Sequence, residues 1–343
     1  MIDPFKSCYT CPVHVFSDPS VSESEKGETM KKKTIVICAG LLLIICLFAV
    51  GQGWGRFLYL YAMPSAGGAY FDSDGVRIHY REEGNGSPLI LVHGLGVNSD
   101  INFQARGVTG RLAKEFHLIL PDLRGHGRSD KPHDVEAYGV EMCKDIIRLM
   151  DHLHIDKAQV LGYSLGGFVV LKLVSLYPER FVSYAPCGAG WTPDSEKELS
   201  FAFELASEIE AGKGYGALSD YLTPIGGKVS KQKRTMMSLG LRMINDEQAI
   251  AAVLRSMPAL AVSEEDLTGI ELPGLAVIGE RDPFRVFTQK LADALPSIRM
   301  EIIPGTDHMS TLKSPDAQEV IASFFKAQEG ALFQEPAQHE PAR

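Results

Sequence analysis

Three polar side chains stand where the chain has just finished an apolar run. Ser164 lies in Val160-Leu-Gly-Tyr-Ser-Leu-Gly-Gly167, Asp282 in Gly279-Glu-Arg-Asp-Pro-Phe284 and His308 in Gly305-Thr-Asp-His-Met-Ser310. A serine hydroxyl is a poor nucleophile until a base takes its proton, and a histidine oriented by a carboxylate is the usual base. Gly162-Tyr163-Ser164-Leu165-Gly166 fits the pattern G-x-S-x-G, in which a strand ends, the chain turns sharply and a helix begins. The turn leaves so little room that glycine is needed two residues to either side of the serine. Ser164 is thereby pushed into the open with a helix N-terminus behind it, where the N–H of Leu165 can donate to an oxyanion.

Other polar residues carry weaker signals. Asp307, beside His308, competes with Asp282 as the orienting acid, but neighbouring side chains point in different directions, which favours Asp282. Arg124, His126 and Asp130 in Arg124-Gly-His-Gly-Arg-Ser-Asp130 read as loop-shaping hydrogen-bond formers. His152 and His154 lie at a helix end without a third ligand, so they read as surface residues and no metal is expected. Gly94-Leu-Gly-Val-Asn-Ser99 imitates half of the dinucleotide fingerprint, yet its third glycine is Ser99 and such a site leaves the serine unexplained. No cofactor is expected.

The elements that must hold these residues alternate between strand and helix. Residues 76–84 alternate as a half-exposed strand, 88–94 form a continuous apolar run of the kind found in a central strand, and 117–122 form the next strand. Helical spacing over 139–153 is followed by strand patterns at 158–164 and 181–188. Residues 190–265 hold only helical patterns and are read as an inserted cap. Strand character resumes at 273–280 and 299–305, and a last helix covers 314–327. This rhythm predicts an α/β fold, a mostly parallel sheet with helices on both faces, its core formed by 69–189 and 266–327.

In these motifs and their order the chain resembles the α/β-hydrolase superfamily, from about Tyr70 to Lys326. The resemblance rests on His93-Gly-Leu-Gly96 after the third strand, Pro121-Asp-Leu-Arg-Gly-His-Gly-Arg-Ser-Asp130 after the fourth, and the serine, aspartate and histidine motifs. It implies Ser164 as nucleophile, His308 as general base and acid, and Asp282 as the residue orienting His308. It also implies the backbone N–H of Leu95 as a second oxyanion donor beside Leu165. The family's usual histidine before the serine is here Tyr163, a departure expected to alter pocket shape more than mechanism. A serine at the nucleophile position disfavours haloalkane dehalogenase and epoxide hydrolase chemistry, which need a carboxylate.

The expected function is hydrolysis of small carboxylic esters through an acyl-enzyme, with the pocket formed by Leu95, Tyr163, Leu165, Met309 and the cap. Met236, Met237, Met243 and Met257 are candidate cap lining, although methionines at helical spacing are more often plain core. Carbon–carbon bond hydrolysis, cofactor-free peroxidation and acyl transfer are alternatives on the same fold, as is a catalytically silent binding module.

Composition is consistent with a globular enzyme. A net charge of −9 over 343 residues, without a basic stripe, argues against nucleic acid; Lys228, Lys231, Lys233 and Arg234 read as a solvated face. Four of the six cysteines (Cys8, Cys11, Cys38 and Cys46) precede residue 50, and Cys143 and Cys187 are expected to be small core residues.

At the front, Met30-Lys-Lys-Lys33 is followed by sixteen apolar or small residues, 35–50. Residues 30–51 are read as a signal peptide or a membrane anchor, with 52–68 as a linker. The run is long for a cleaved signal and short for a span. Ala49-Val-Gly51 suits cleavage, whereas Trp54, Phe57, Tyr59 and Tyr61 suit the aromatic belt of a retained anchor. Either places the catalytic domain outside the cytoplasm, because the lysines hold the N-terminus inside. The tail 328–343 is expected to be disordered. Residues 1–29 fit poorly before such a signal, which predicts that translation starts at Met30. N-terminal sequencing of the natural precursor is expected to read from Met30, and a precursor beginning at Met1 refutes the expectation.

Overall fold

The computed structural model describes residues 67–193 and 195–330, all of which belong to one compact unit. The expected leader, the signal or anchor segment 30–51, most of the linker and the tail beyond 330 lie outside the described residues. Among the described residues no helix is long and apolar enough to cross a membrane.

An antiparallel hairpin begins the fold: β1 (Ala69–Ser73) and β2 (Val76–Glu83) pair Ser73 with Val76 across Asp74 and Gly75. Both turn residues have positive φ, 57° and 81°, the two-residue geometry that matches the twist of the strands it joins. Then come β3 (Ser87–Val92), the short helices α1 (Ser99–Asn102) and α2 (Val108–Leu112), and β4 (Phe116–Pro121). They are followed by α3 (Val140–His152), β5 (Ala158–Tyr163), α4 (Leu165–Leu176) and β6 (Phe181–Cys187). Six helices follow without an intervening strand: α5 (Ser195–Glu198), α6 (Ser200–Glu210), α7 (Gly216–Tyr221), α8 (Lys231–Ile244), α9 (Glu247–Ser256) and α10 (Glu264–Thr268). The chain finishes with β7 (Gly274–Gly279), α11 (Arg285–Ala294), β8 (Ile298–Ile303) and α12 (Pro315–Gln328).

The eight strands form one sheet in the order β1-β2-β4-β3-β5-β6-β7-β8, antiparallel at β1·β2 and β2·β4 and parallel elsewhere. The central strands read as unbroken apolar runs because both faces are covered. Leu89 and Leu91 of β3, Leu118 and Leu120 of β4, and Leu275 and Val277 of β7 pack on one face with Phe325 and Ile321 of α12. Ile90 and Val92, Ile119, and Ala276 and Ile278 of the same strands face the other way, into the core shared with α3 and α4. The order reverses at β3, since β4 lies on one side of it and β5 on the other. A crevice opens at such a switch point, beyond the carboxyl ends of the strands.

One buried ion pair ties the hairpin to the helical layer. Arg124, in the loop after β4, places Nε and Nη2 each 2.7 Å from the two carboxylate oxygens of Asp145 in α3. Its Nη1 donates to the Ala137 carbonyl at 2.7 Å, and the Ser73 hydroxyl at the end of β1 donates to Asp145 at 2.5 Å. Arg124 therefore acts as the loop-shaping residue that the sequence suggests. Removing one member of such a buried pair typically costs about 3–5 kcal/mol, because the other charge is left without its partner. Arg124→Met is expected to lose about that much stability in urea unfolding, and a loss below about 1 kcal/mol would contradict the role.

Candidate active site

Ser164 lies in the one-residue gap between β5 and α4, with φ 57° and ψ −119°, a conformation that costs an L-residue about 1–3 kcal/mol. The surrounding backbone enforces it. A Cβ added at Gly162 would lie 2.0 Å from the Gly166 carbonyl oxygen, and one at Gly166 would lie 2.0 Å from the carbonyl oxygen of Val92. The helix thus starts in contact with the ends of both β5 and β3, closer than any side chain allows. The N–H of Ser164 donates to the Cys187 carbonyl at 2.9 Å, which fixes the turn from the β6 side.

Asp282 and His308 come from the loops after β7 and β8. His308 Nδ1 lies 2.8 Å from Asp282 Oδ2, and the second Asp282 oxygen accepts the Phe284 N–H at 2.9 Å. Asp282 is fully buried and His308 nearly so. Asp307 turns away from the imidazole: its Oδ1 accepts the N–H groups of Met309 and Ser310 and the Ser310 hydroxyl, at 3.0, 3.0 and 2.7 Å. Burial works against that carboxylate, and these donors outweigh it and hold it below the ordinary range. The Tyr163 hydroxyl donates to the His308 carbonyl at 2.5 Å, and its ring lies 5.2 Å from the imidazole. Tyr163 therefore anchors the histidine loop from below. Burial pushes its phenol well above the ordinary value, so it stays a donor.

The loop after β3 brings Leu95 beside the serine. A Cβ at Gly94 would stand 3.2 Å from Ser164 Cβ. The Gly94 N–H donates to Asn102 Oδ1 at 3.0 Å, while His93 Nδ1 meets the Gly94 carbonyl at 2.8 Å and His93 Nε2 accepts the Leu123 N–H at 2.9 Å. Leu165, as the first residue of α4, has an N–H without an intrahelical acceptor. The sequence carries no signal for Asn102 or for the two hydrogen bonds of His93. Both are common polar types in a loop, and only the tertiary contact gives them a role.

Ser164 and His308 line one cavity of about 100 Å³ together with Leu95, Tyr163 and Met309, as the sequence suggests. Leu165 does not line it; its side chain is packed into the core against which α4 is pressed. Of the four methionines named as candidate cap lining, Met237 alone lines the cavity. Met236 and Met243 are exposed on the outer side of α8, and Met257 is buried in the core. Leu218, Leu222 and Leu241 from the helical segment take their place, so that segment covers the serine. Cys143 and Cys187 are free and buried, their thiols pushed up to about 12 by burial. Among the described residues no three metal-ligating side chains converge.

The alpha/beta hydrolase fold family matches residues 87–208. The chain is 28% identical over 291 residues to an uncharacterised protein of Mycobacterium tuberculosis, covering 77% of this chain and 82% of that one. It is 26% identical over 221 residues to 2-hydroxy-6-oxo-2,4-heptadienoate hydrolase of Pseudomonas putida, covering 61% and 76%. A thermophilic esterase from Thermogutta terrifontis superposes with a TM-score of 0.63 at 23% identity, covering 76% and 98%. Sheet order, motif order and these matches define an α/β-hydrolase fold. The chain has that fold, and residues 87–208 are the part that resembles the family.

The oxyanion loop is held by histidines that must stay neutral. Burial pulls His93 below the ordinary imidazole value, and burial with the neighbouring His93 pushes His126 down to about 3. The two rings are 5.2 Å apart. An unfolded chain takes up a proton at His126 below about pH 6.5, whereas the folded chain does not until about 3, and His93 shifts in the same direction, so stability falls as pH drops through that window. The slope from His126 approaches about 1.4 kcal/mol per pH unit. Asp122 adds nothing there. Burial opposes its charge, the His79 contact at 3.1 Å, the neighbouring histidines and the Arg128 N–H together outweigh burial, and its depressed value moves its loss to strong acid. Urea midpoints are expected to fall between pH 6.5 and 5, and His126→Gln to flatten the slope by about one proton; an unchanged slope contradicts this.

Proposed function

We propose that the protein is a serine hydrolase of carboxylic esters that works through an acyl-enzyme. Ser164 Oγ attacks the ester carbonyl carbon as His308 Nε2 takes its proton, and Asp282 holds His308 Nδ1–H and stabilises the imidazolium. The carbonyl oxygen becomes an oxyanion facing the N–H groups of Leu95 and Leu165; one such donor is typically worth about a hundredfold or more in rate. Collapse of the tetrahedral adduct breaks the C–O bond, and the departing alkoxide takes the proton from His308. Water then attacks the acyl-enzyme with His308 again as base, and the acid leaves as Ser164 regains its proton.

The strained Ser164 backbone, at the mouth of a cavity it shares with the Asp282-bonded His308, is the observation that supports this reading. A second reading is hydrolysis of a carbon–carbon bond in a diketone, supported by the similarity to the Pseudomonas putida heptadienoate hydrolase. The residues at 30–51 support a domain exported or anchored outside the cytoplasm.

A fluorophosphonate is expected to label the wild-type protein at Ser164 and to leave Ser164→Ala unlabelled. The same variant is expected to lose at least about a thousandfold in turnover of short p-nitrophenyl esters. A wild-type protein that stays unlabelled sinks the proposal. Labelling without ester turnover, accompanied by cleavage of a vinylogous diketone, transfers it to the second reading.

A further inference from the structure

Arg106 puts a charge in a cavity whose lining is mostly apolar. It follows α1 in the loop after β3, is half-buried, and lines the same cavity as Ser164 and His308 beside Leu95, Leu222 and Met237. Its Nη1 donates to the Met309 carbonyl at 2.6 Å, and its own carbonyl accepts from Gln318 Nε2 at 3.0 Å. The backbone and one arm of the guanidinium are therefore fixed.

The charge itself is not matched by a carboxylate. Among the described residues no acidic side chain comes within 4.0 Å of Arg106. The buried arginines elsewhere are each matched: Arg81 and Arg128 by Asp100, and Arg124 by Asp145. Asp307, the acid whose field reaches Arg106, spends one oxygen on three donors of its own turn. Burial draws the Arg106 guanidinium below the ordinary arginine value, yet arginine stays charged throughout the physiological range. A cation left partly desolvated without a counter-ion is costly to fold.

A second group in the cavity has the same need. Asn102 Nδ2 is buried and donates to nothing, although the Oδ1 of the same amide is taken by Gly94. Asn102 also lines the cavity. A guanidinium and an unsatisfied amide donor beside Ser164 both call for an acceptor that the described residues do not supply.

We propose that the substrate of the Ser164 site carries a carboxylate and that Arg106 receives it, which makes Arg106 a specificity-determining residue; this rests on the hydrolase reading above. The carboxylate lies either on the acyl part, as in a half-ester of a dicarboxylic acid, or on the alcohol part, as in a carboxyaryl ester. The net charge of −9 repels anions at long range, so the preference arises from contact inside the cavity rather than from steering.

Mono-p-nitrophenyl succinate and glutarate probe the acyl side, with p-nitrophenyl butyrate as their neutral counterpart. 4-Carboxyphenyl acetate probes the alcohol side against phenyl acetate. In the wild-type protein one anionic member is expected to exceed its neutral counterpart in kcat/KM. Arg106→Gln is expected to raise KM for that member by about ten- to a hundredfold, as loss of a charge-assisted bond implies. Its kcat for the anionic ester should change far less than KM, the neutral ester should lose at least about tenfold less in kcat/KM than the anionic one, and Arg106→Lys should recover part of the loss. If Arg106 serves only to hold the Met309 loop, the Gln variant lowers kcat for anionic and neutral esters alike, and the proposal fails. It also fails if neither anionic ester is preferred over its neutral partner. Should the wild-type protein cleave no ester, the hydrolase reading is what fails on these substrates, and calorimetry with glutarate and butyrate then decides the carboxylate site. Glutarate binding weakened at least about tenfold by Arg106→Gln supports it, and glutarate bound no better than butyrate, or equally well by the variant, overturns it.

Discussion

The approach of α4 to the carboxyl ends of β3 and β5 is the constraint from which the rest of the site follows. With the Gly166 Cα so near the Val92 carbonyl, the helix can begin only if the residue before it takes a backbone conformation that side chains ordinarily avoid. That residue is Ser164, and the strain has to be held by something larger than the turn. Two apolar layers, one on each face of the sheet, fix β3, β5 and β6 in register, and the Cys187 carbonyl then captures the Ser164 N–H. The same proximity sets Gly94 and Leu95 next to the serine. Ser164 and the N–H groups of Leu95 and Leu165 are thus a single packing outcome rather than separately positioned parts.

Around that contact, buried polar groups replace the water that a loop would normally recruit. His93 joins the Gly94 carbonyl to the Leu123 N–H, and Asn102 takes the Gly94 N–H. Asp122 gathers His79, both the N–H and the hydroxyl of Ser99, and the Arg128 N–H. The His93–Leu123 and Ser99–Asp122 bonds join the loop after β3 to the loop after β4, and His79 ties Asp122 to β2, so the floor of the crevice is held crosswise. Tyr163 does the same at the other rim: it precedes the nucleophile in sequence and bonds the backbone of the histidine in space.

The sheet was legible wherever burial on both faces wrote itself as an apolar run. The strands at β3, β4, β5, β6, β7 and β8 and the helices α3 and α12 begin and end within about two residues of the positions their patterns give. The five-residue edge strand β1 carries no such pattern and is defined mainly by its partner. Ser164, Asp282 and His308 were legible for a related reason: each follows an apolar strand, and the strand ends converge. The lining was less legible because residue type does not carry helical phase. Met237 and Leu241, four residues apart on α8, face the cavity, while Met236 and Met243, seven apart, share the outer side. Arg106, just past α1, and Asn102, at the end of that four-residue helix, lie in a stretch too short to show periodicity, so only the folded contacts set them apart.

The stretch between β6 and β7 leaves the sheet after one strand and returns at the next, bonding to the ladder through Gly188 and Pro273 at its two ends, while its helices add no strand to the sheet. Its side chains supply much of the wall above the serine, whereas none of the three polar groups at the strand ends comes from it. Substitutions there change what is admitted while the reacting atoms keep their places. Selection is therefore free to retune diet and chemistry on separate clocks.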